Sequence, residues 1–133
     1  MPKLLTVIVP CYNEEENIKY FYEEFCKNDA YFLKHAIMYQ LIFVDDGSTD
    51  GTVTEIKNLH QKDKRVKLLS FSRNFGKEAA IYAGLQHASG NLVAIMDVDL
   101  QDPPSLLPQM IDEIFAGADQ VVARRTARQG EPR

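Results

Sequence analysis

Short apolar runs alternate along the chain with stretches of helical periodicity, and that alternation predicts the fold. The apolar runs cover residues 4–9, 41–44, 66–71, 92–96 and 120–123. They are rich in Val, Ile, Leu and Phe and lack clean polar–apolar alternation, as strands covered on both faces do. Between the first two, Ile18, Phe21, Tyr22 and Phe25 fall at i, i+3, i+4 and i+7 and share one helix face. Val53, Ile56 and Leu59 follow the same logic at i, i+3 and i+6. Residues 77–87 form an Ala-rich helical stretch whose small side chains permit close packing on a sheet. Leu106, Leu107, Met110, Ile111, Ile114 and Phe115 make the fullest stripe.

Signals at the helix ends agree with this division. Asn13 with Glu16, and Thr52 with Glu55, have capping-box spacing, and Pro103-Pro104 suits a first helical turn. Gly90 and Gly117 fall where helices should stop. Residues 27–40 are ambiguous, the tail of the first helix or a loop. The order β-α-β-α-β-α-β-α-β predicts one α/β domain over residues 1–133, a three-layer α/β/α sandwich with a mainly parallel sheet and right-handed crossovers.

Composition narrows the function. The chain has 133 residues, enough for a single core. Its formal net charge of −4 argues against a nucleic-acid partner. Cys11 and Cys26 form neither a CxxC pair nor a disulfide framework and are expected to be ordinary packed thiols. No run approaches the ~18 apolar residues of a membrane helix, and no signal-peptide pattern is present, so this segment is expected in the cytoplasm. Oligomeric state, including a homo-oligomer, stays open. His35, His60 and His87 have no ligand spacing with one another. Arg124, Arg125, Arg128 and Arg133 crowd the last ten positions.

Ligands of open α/β sheets bind beyond the carboxyl ends of the strands. Here those ends carry Pro10-Cys11-Tyr12-Asn13-Glu14-Glu15-Glu16, Asp45-Asp46-Gly47-Ser48-Thr49-Asp50, Ser72-Arg73-Asn74-Phe75-Gly76-Lys77 and Asp97-Val98-Asp99-Leu100-Gln101-Asp102. So much negative charge in one place is costly unless something positive binds there. Neither GxGxxG nor GxxxxGK[ST] occurs, so a diphosphate here needs a divalent cation beside it. Asp97, Asp99 and Gln101, two residues apart in turn, share one side of an extended chain and offer hard oxygen ligands for Mg2+ or Mn2+. Asp50 and Asp102, just before helices, have a plainer role as caps. Glu15 and Glu16 similarly suit the positive end of a first-turn dipole.

The blocks Val7-Ile8-Val9-Pro10-Cys11-Tyr12-Asn13-Glu14, Val44-Asp45-Asp46-Gly47-Ser48-Thr49-Asp50-Gly51-Thr52 and Asp97-Val98-Asp99, in that order, resemble the inverting family 2 glycosyltransferases of GT-A fold. The resemblance covers essentially the whole chain. Ser72-Arg73-Asn74-Phe75-Gly76-Lys77-Glu78-Ala79-Ala80 and Asp97-Val98-Asp99-Leu100-Gln101-Asp102-Pro103-Pro104 are most similar to the polyprenyl-phosphate branch, which uses dolichol or undecaprenyl phosphate. The resemblance implies that Pro10, Tyr12, Glu14 and Asp46, with Asp45 beside them, hold the nucleoside. It implies that Asp97 and Val98 contact the donor, and that Asp99 and Gln101 hold Mg2+ or Mn2+. The family often has Ala at the position of Val98, a change that preserves backbone contacts. Arg125 matches an arginine near the phosphates of donor and acceptor, with Arg128 close by; a frayed basic tail is the competing reading.

The implied reaction moves a sugar from a nucleotide-diphosphate donor, a UDP-sugar or alternatively GDP-mannose, to a polyprenyl phosphate with inversion. Asp97, Asp99 and Arg125 are the implied catalytic residues. A phosphate acceptor is already ionised near neutral pH, because its second pKa lies near ~6, so no strong base is needed. A saccharide hydroxyl acceptor, as in cell-wall or capsule polysaccharide synthesis, would need a base placed beyond Arg133. The acceptor-binding part and any membrane helices of a parent at the cytoplasmic face are expected outside residues 1–133. The isolated chain should therefore bind donor without transferring it. A pure nucleotide-binding module is thus a serious rival. A signalling receiver domain is a poor one, because it needs an acidic pair after the first strand and an Asp after the third, where this chain has Pro10-Cys11-Tyr12-Asn13 and Ser72-Arg73-Asn74.

Overall fold

The computed structural model describes residues 3–99 and 103–117. The elements run β1 (Lys3–Cys11), α1 (Ile18–Cys26), α2 (Asp29–Lys34), β2 (Ile37–Asp45), α3 (Thr52–Lys62), β3 (Val66–Ser70), α4 (Lys77–Gln86) and β4 (Leu92–Ile95), then a 3-10 turn (Pro104–Leu106) and α5 (Leu107–Phe115). Among the described residues the strands form one parallel sheet in the order β3-β2-β1-β4. The expected α/β layering is present. The expected fifth strand, residues 120–123, lies outside the described residues.

Strand parity divides the core in two. Leu5, Val7, Val9, Leu41 and Phe43 face a layer that includes Phe21 and Phe25 of α1, Ile56 of α3, and Leu107 and Ile111 of α5. Ile8, Ile42 and Val44 face the opposite way, onto Ala80 of α4. Right-handed crossovers explain why α4, among the described residues, is the one helix on its side. From β1 to β2 to β3 the chain steps across the sheet in one direction, with α1 and α3 on one face. It then returns past β1 to place β4, and a right-handed return must cross the other face.

Helix α4 lies close to the sheet because its contact positions are small. A Cβ on Gly84 would stand 2.5 Å from Cγ2 of Ile8, so only glycine fits at that spacing. The Ala-rich composition of residues 77–87 thus has the packing role expected of it. Residues 27–40 resolve into α2 and the first half of β2. Phe32 of α2 packs on Phe25 and Tyr39, with ring centroids 5.6 and 5.3 Å away.

Both expected capping boxes give way to longer-range contacts. Helix α1 begins at Ile18, after a turn in which Glu14 accepts from the N–H groups of Asn17 and Ile18, so its first turn contains no acidic residue. Asn13, at φ 52°, accepts instead from the Thr49 N–H at 2.8 Å, while its own N–H donates to Ser48 Oγ. At α3 the Thr52 hydroxyl accepts from the Glu14 N–H at 2.8 Å and donates to Asp50. Asp50 also accepts the Thr52 N–H at 2.9 Å and serves the helix start, as expected of it. Gly117 follows the cap of α5 as anticipated; Gly90 lies further on, in the bend before β4. Among the described residues no helix is long and apolar enough to cross a membrane.

Candidate active site

The return of the chain past β1 makes a switch point between β1 and β4, where the loops after the two strands diverge and leave a crevice. A cleft of about 340 Å³ lies there. Pro10 and Cys11 line it from β1, Tyr12 and Glu14 from the loop after it, Asp46 from just past β2, Lys77 and Ala80 from α4, and Asp97, Val98 and Asp99 from beyond β4. Segments far apart in sequence and anticipated as one site are therefore brought together. Gln101, Asp102, Arg125 and Arg128 lie outside the described residues.

The residues expected to hold a nucleoside differ in what they have left to offer. Tyr12 is exposed at the cleft. Glu14 accepts from Asn17 Nδ2 at 2.8 Å. Asp46 is buried, and its two carboxylate oxygens accept the backbone N–H groups of Phe75 at 2.7 Å and Gly76 at 3.0 Å. It thereby ties the loop after β3 to the end of β2. Gly47 tightens the same junction: at φ 77°, a Cβ there would lie 2.3 Å from the Arg73 carbonyl carbon. Asp45 is buried outside the cleft lining and accepts from the Ser48 N–H and the Ser70 hydroxyl, each at 3.3 Å. Its visible role is to brace the turn on which Asp46 sits.

Beyond β4, Val98 turns its side chain into the core while Asp97 and Asp99 border the cleft. Asp97 accepts an ion pair from Lys77 Nζ at 2.7 Å. Lys77 lines the cleft, although motif reading gave it no role. Its signal was a positive charge at the first residue of a helix, where the dipole favours a negative one. Cys11 also lines the cleft, but burial first, and then Asp45, Glu14, Asp50 and Asp46, push its thiol far above its ordinary pKa. It stays protonated and is no nucleophile. His60 and His87 meet the backbone carbonyls of Val66 and Ala83 through Nδ1, the plain packing role expected of them.

The family model for glycosyl transferase family 2 matches residues 6–133. The chain belongs to that family. Over 132 residues it is 44% identical to the bactoprenol glucosyl transferase of Shigella phage SfV, covering 97% of this chain and 41% of that protein. Among solved structures it is similar to the mannosyltransferase PcManGT of Pyrobaculum calidifontis in complex with GDP-Man and Mn2+, with TM-score 0.69, 28% identity, and coverage of 84% of this chain and 32% of the other. It is also similar to S. aureus TarS 1-349 in complex with UDP, with TM-score 0.63, 29% identity and coverage of 85% and 32%. These neighbours have the GT-A fold of family 2 glycosyltransferases, and this chain shares it. The chain spans about two fifths of the length of the phage relative.

A divalent cation fits this cleft only in company. Among the described residues no group of three or more His, Cys, Asp or Glu is placed to hold a metal by itself. Asp97 and Asp99 present hard carboxylate oxygens at one wall. That suits Mg2+ or Mn2+, which commonly bind one or two carboxylates and complete their shells with water and substrate phosphate oxygens. The donor set is wrong for zinc or copper, which favour imidazole and thiolate.

Proposed function

We propose that this protein supplies the donor site of an inverting glycosyltransferase that moves a sugar from a nucleotide-diphosphate donor to a polyprenyl phosphate at the cytoplasmic face of a membrane. The observation that carries the reading is the cleft itself, lined by Tyr12, Asp46, Asp97 and Asp99 at the switch point of a family 2 chain. Solved relatives that bind GDP-Man or UDP support a nucleotide diphosphate as the ligand. The bactoprenol glucosyl transferase relatives support a polyprenyl phosphate acceptor, and a UDP-sugar is the proposed donor, with GDP-mannose the alternative.

In this reading Tyr12 and Pro10 border the nucleoside, and Asp46 fixes the loop against which it rests. The backbone at Val98 holds the donor while Asp97 orients the sugar end. Asp99, with Gln101, would hold Mg2+ or Mn2+, which neutralises the diphosphate and so eases its departure. Arg125 would contribute a guanidinium to the phosphates of donor and acceptor. An acceptor phosphate oxygen attacks the anomeric carbon from the face opposite the leaving diphosphate. One bond forms as the other breaks, and the configuration inverts. Such an ionised acceptor needs no strong base from the chain.

Transfer of labelled glucose from UDP-glucose to an organic-extractable polyprenyl phosphate, assayed with the full-length protein and Mn2+, tests this function. Product of inverted anomeric configuration is expected. Label passing only to a saccharide hydroxyl, or only to water, contradicts the acceptor assignment. The 133-residue chain alone is expected to bind donor and give no product.

A further inference from the structure

We propose that Lys77 is a built-in counter-ion of the cleft, neutralising Asp97 before the donor arrives and shifting its charge to the diphosphate when donor and divalent cation bind. This rests on the cleft being a nucleotide-diphosphate site. Among the described residues lining it, Glu14, Asp46, Asp97 and Asp99 are acidic and Lys77 is the one strong cation. Asp46 already has two backbone N–H partners, and Asp97 is the carboxylate that the lysine ammonium meets.

The position of Lys77 is costly for its own helix and is held from outside. A lysine at the first residue of α4 opposes the helix dipole, so its placement is not explained by helix stability. The loop that delivers it is clamped by Asp46 through Phe75 and Gly76 and by the backbone approach at Gly47. Gly76, at φ 104°, turns the chain into α4 so that the next side chain reaches the cleft. The ammonium meets Asp97 at 2.7 Å, yet 59% of the lysine side chain is exposed.

An exposed pair of this kind is held weakly and exchanges readily. A divalent cation beside Asp97 competes electrostatically with the ammonium. The flexible four-carbon stem then lets the ammonium follow the incoming phosphate, to which it binds as a point charge. Lys77 therefore has opposite effects on the two ligands: it weakens binding of the metal alone and strengthens binding of the nucleotide.

Lys77→Met and Lys77→Arg, compared with the unaltered protein, test this. Free Mn2+ is followed by electron paramagnetic resonance without nucleotide, and UDP by calorimetry at saturating Mn2+. For Lys77→Met, Mn2+ affinity should rise about threefold or more while UDP affinity falls about tenfold, the scale of one charge-assisted hydrogen bond. Lys77→Arg should keep both near the unaltered values. Shifts of the same sign, or an unchanged value for either ligand, overturn the proposal, since general damage to the cleft weakens both together. If the unaltered protein fails to bind UDP with Mn2+, the donor-site reading falls and the proposal with it. If it binds and Lys77→Met is indistinguishable, only the role of the lysine falls.

Discussion

Asp63 illustrates how much a single side chain can gather. Its carboxylate accepts from Arg65 Nε and Nη2, each at 2.9 Å, and from the Tyr22 hydroxyl at 2.6 Å. The hydrogen bonds from Arg65, foremost, hold its pKa down to about 2 against the opposing effect of burial. The native state thus prefers the ionised form more than the unfolded chain does, where the pKa is near ~3.9. The resulting stability is present in full above that value and fades as pH falls toward about 2. Melting temperatures between pH 5 and pH 2 should show Asp63→Asn less stable at the upper end, with the gap narrowing as acid is added. A gap independent of pH would contradict this. Gly47 is the other residue whose identity is dictated locally. Gly47→Ala should cost about 1–3 kcal/mol from backbone strain alone, read as a lowered urea midpoint. A neutral result would mean the loop after β3 yields easily, and that Lys77 is not held in place by it. The candidate carboxylates were legible as residues, because Asp97 and Asp99 flank an apolar strand end. Asp45 was named too, but its bracing contact with Ser70 was not legible, since those two become neighbours only once β2 and β3 pair.

Among the elements, β1 and the C-terminal half of β2 were plain from their apolar runs, because both are buried on two faces. Helix boundaries near the cleft were harder to read. The start of α1 is set by Asn13 meeting Ser48 and Thr49, 35 and 36 residues away, and a local capping pattern contains no trace of that contact. Helix α2 was obscured for a related reason: it is short, and its order comes from Phe32 packing on Phe25 and Tyr39 rather than from its own periodicity. Removing that aromatic centre with Phe25→Ala should cost about 3–5 kcal/mol in chemical denaturation. The seat of α4 on the sheet gives a sharper test. Gly84→Ala gains about 1 kcal/mol of helix propensity but crowds Ile8, at an overpacking cost of about 1–3 kcal/mol. A net loss of stability is expected. In an Ile8→Ala background the crowding is gone and the same change should become stabilising. If Gly84→Ala stabilises both backgrounds equally, the close approach of α4 does not set its composition.

For the whole molecule, the order β3-β2-β1-β4 decides where chemistry is possible. Reversal at β1 opens the sheet edge at one point, and the acidic loops of β1, β2 and β4 converge there with the start of α4. Sequence order alone placed these loops at one end of the sheet; their convergence depends on β4 pairing with β1 rather than with β3. The result is a cleft whose wall is negative and whose expected ligand is more negative still, so a divalent cation is the natural mediator. The most direct test of that claim is calorimetric titration of the protein with UDP and with GDP, each with and without Mn2+, in the unaltered form and in Asp99→Ala. The account predicts UDP binding that requires Mn2+ and is lost in Asp99→Ala while the fold, followed by circular dichroism, is kept. UDP binding that is equally tight without Mn2+, or that survives Asp99→Ala unchanged, would contradict it.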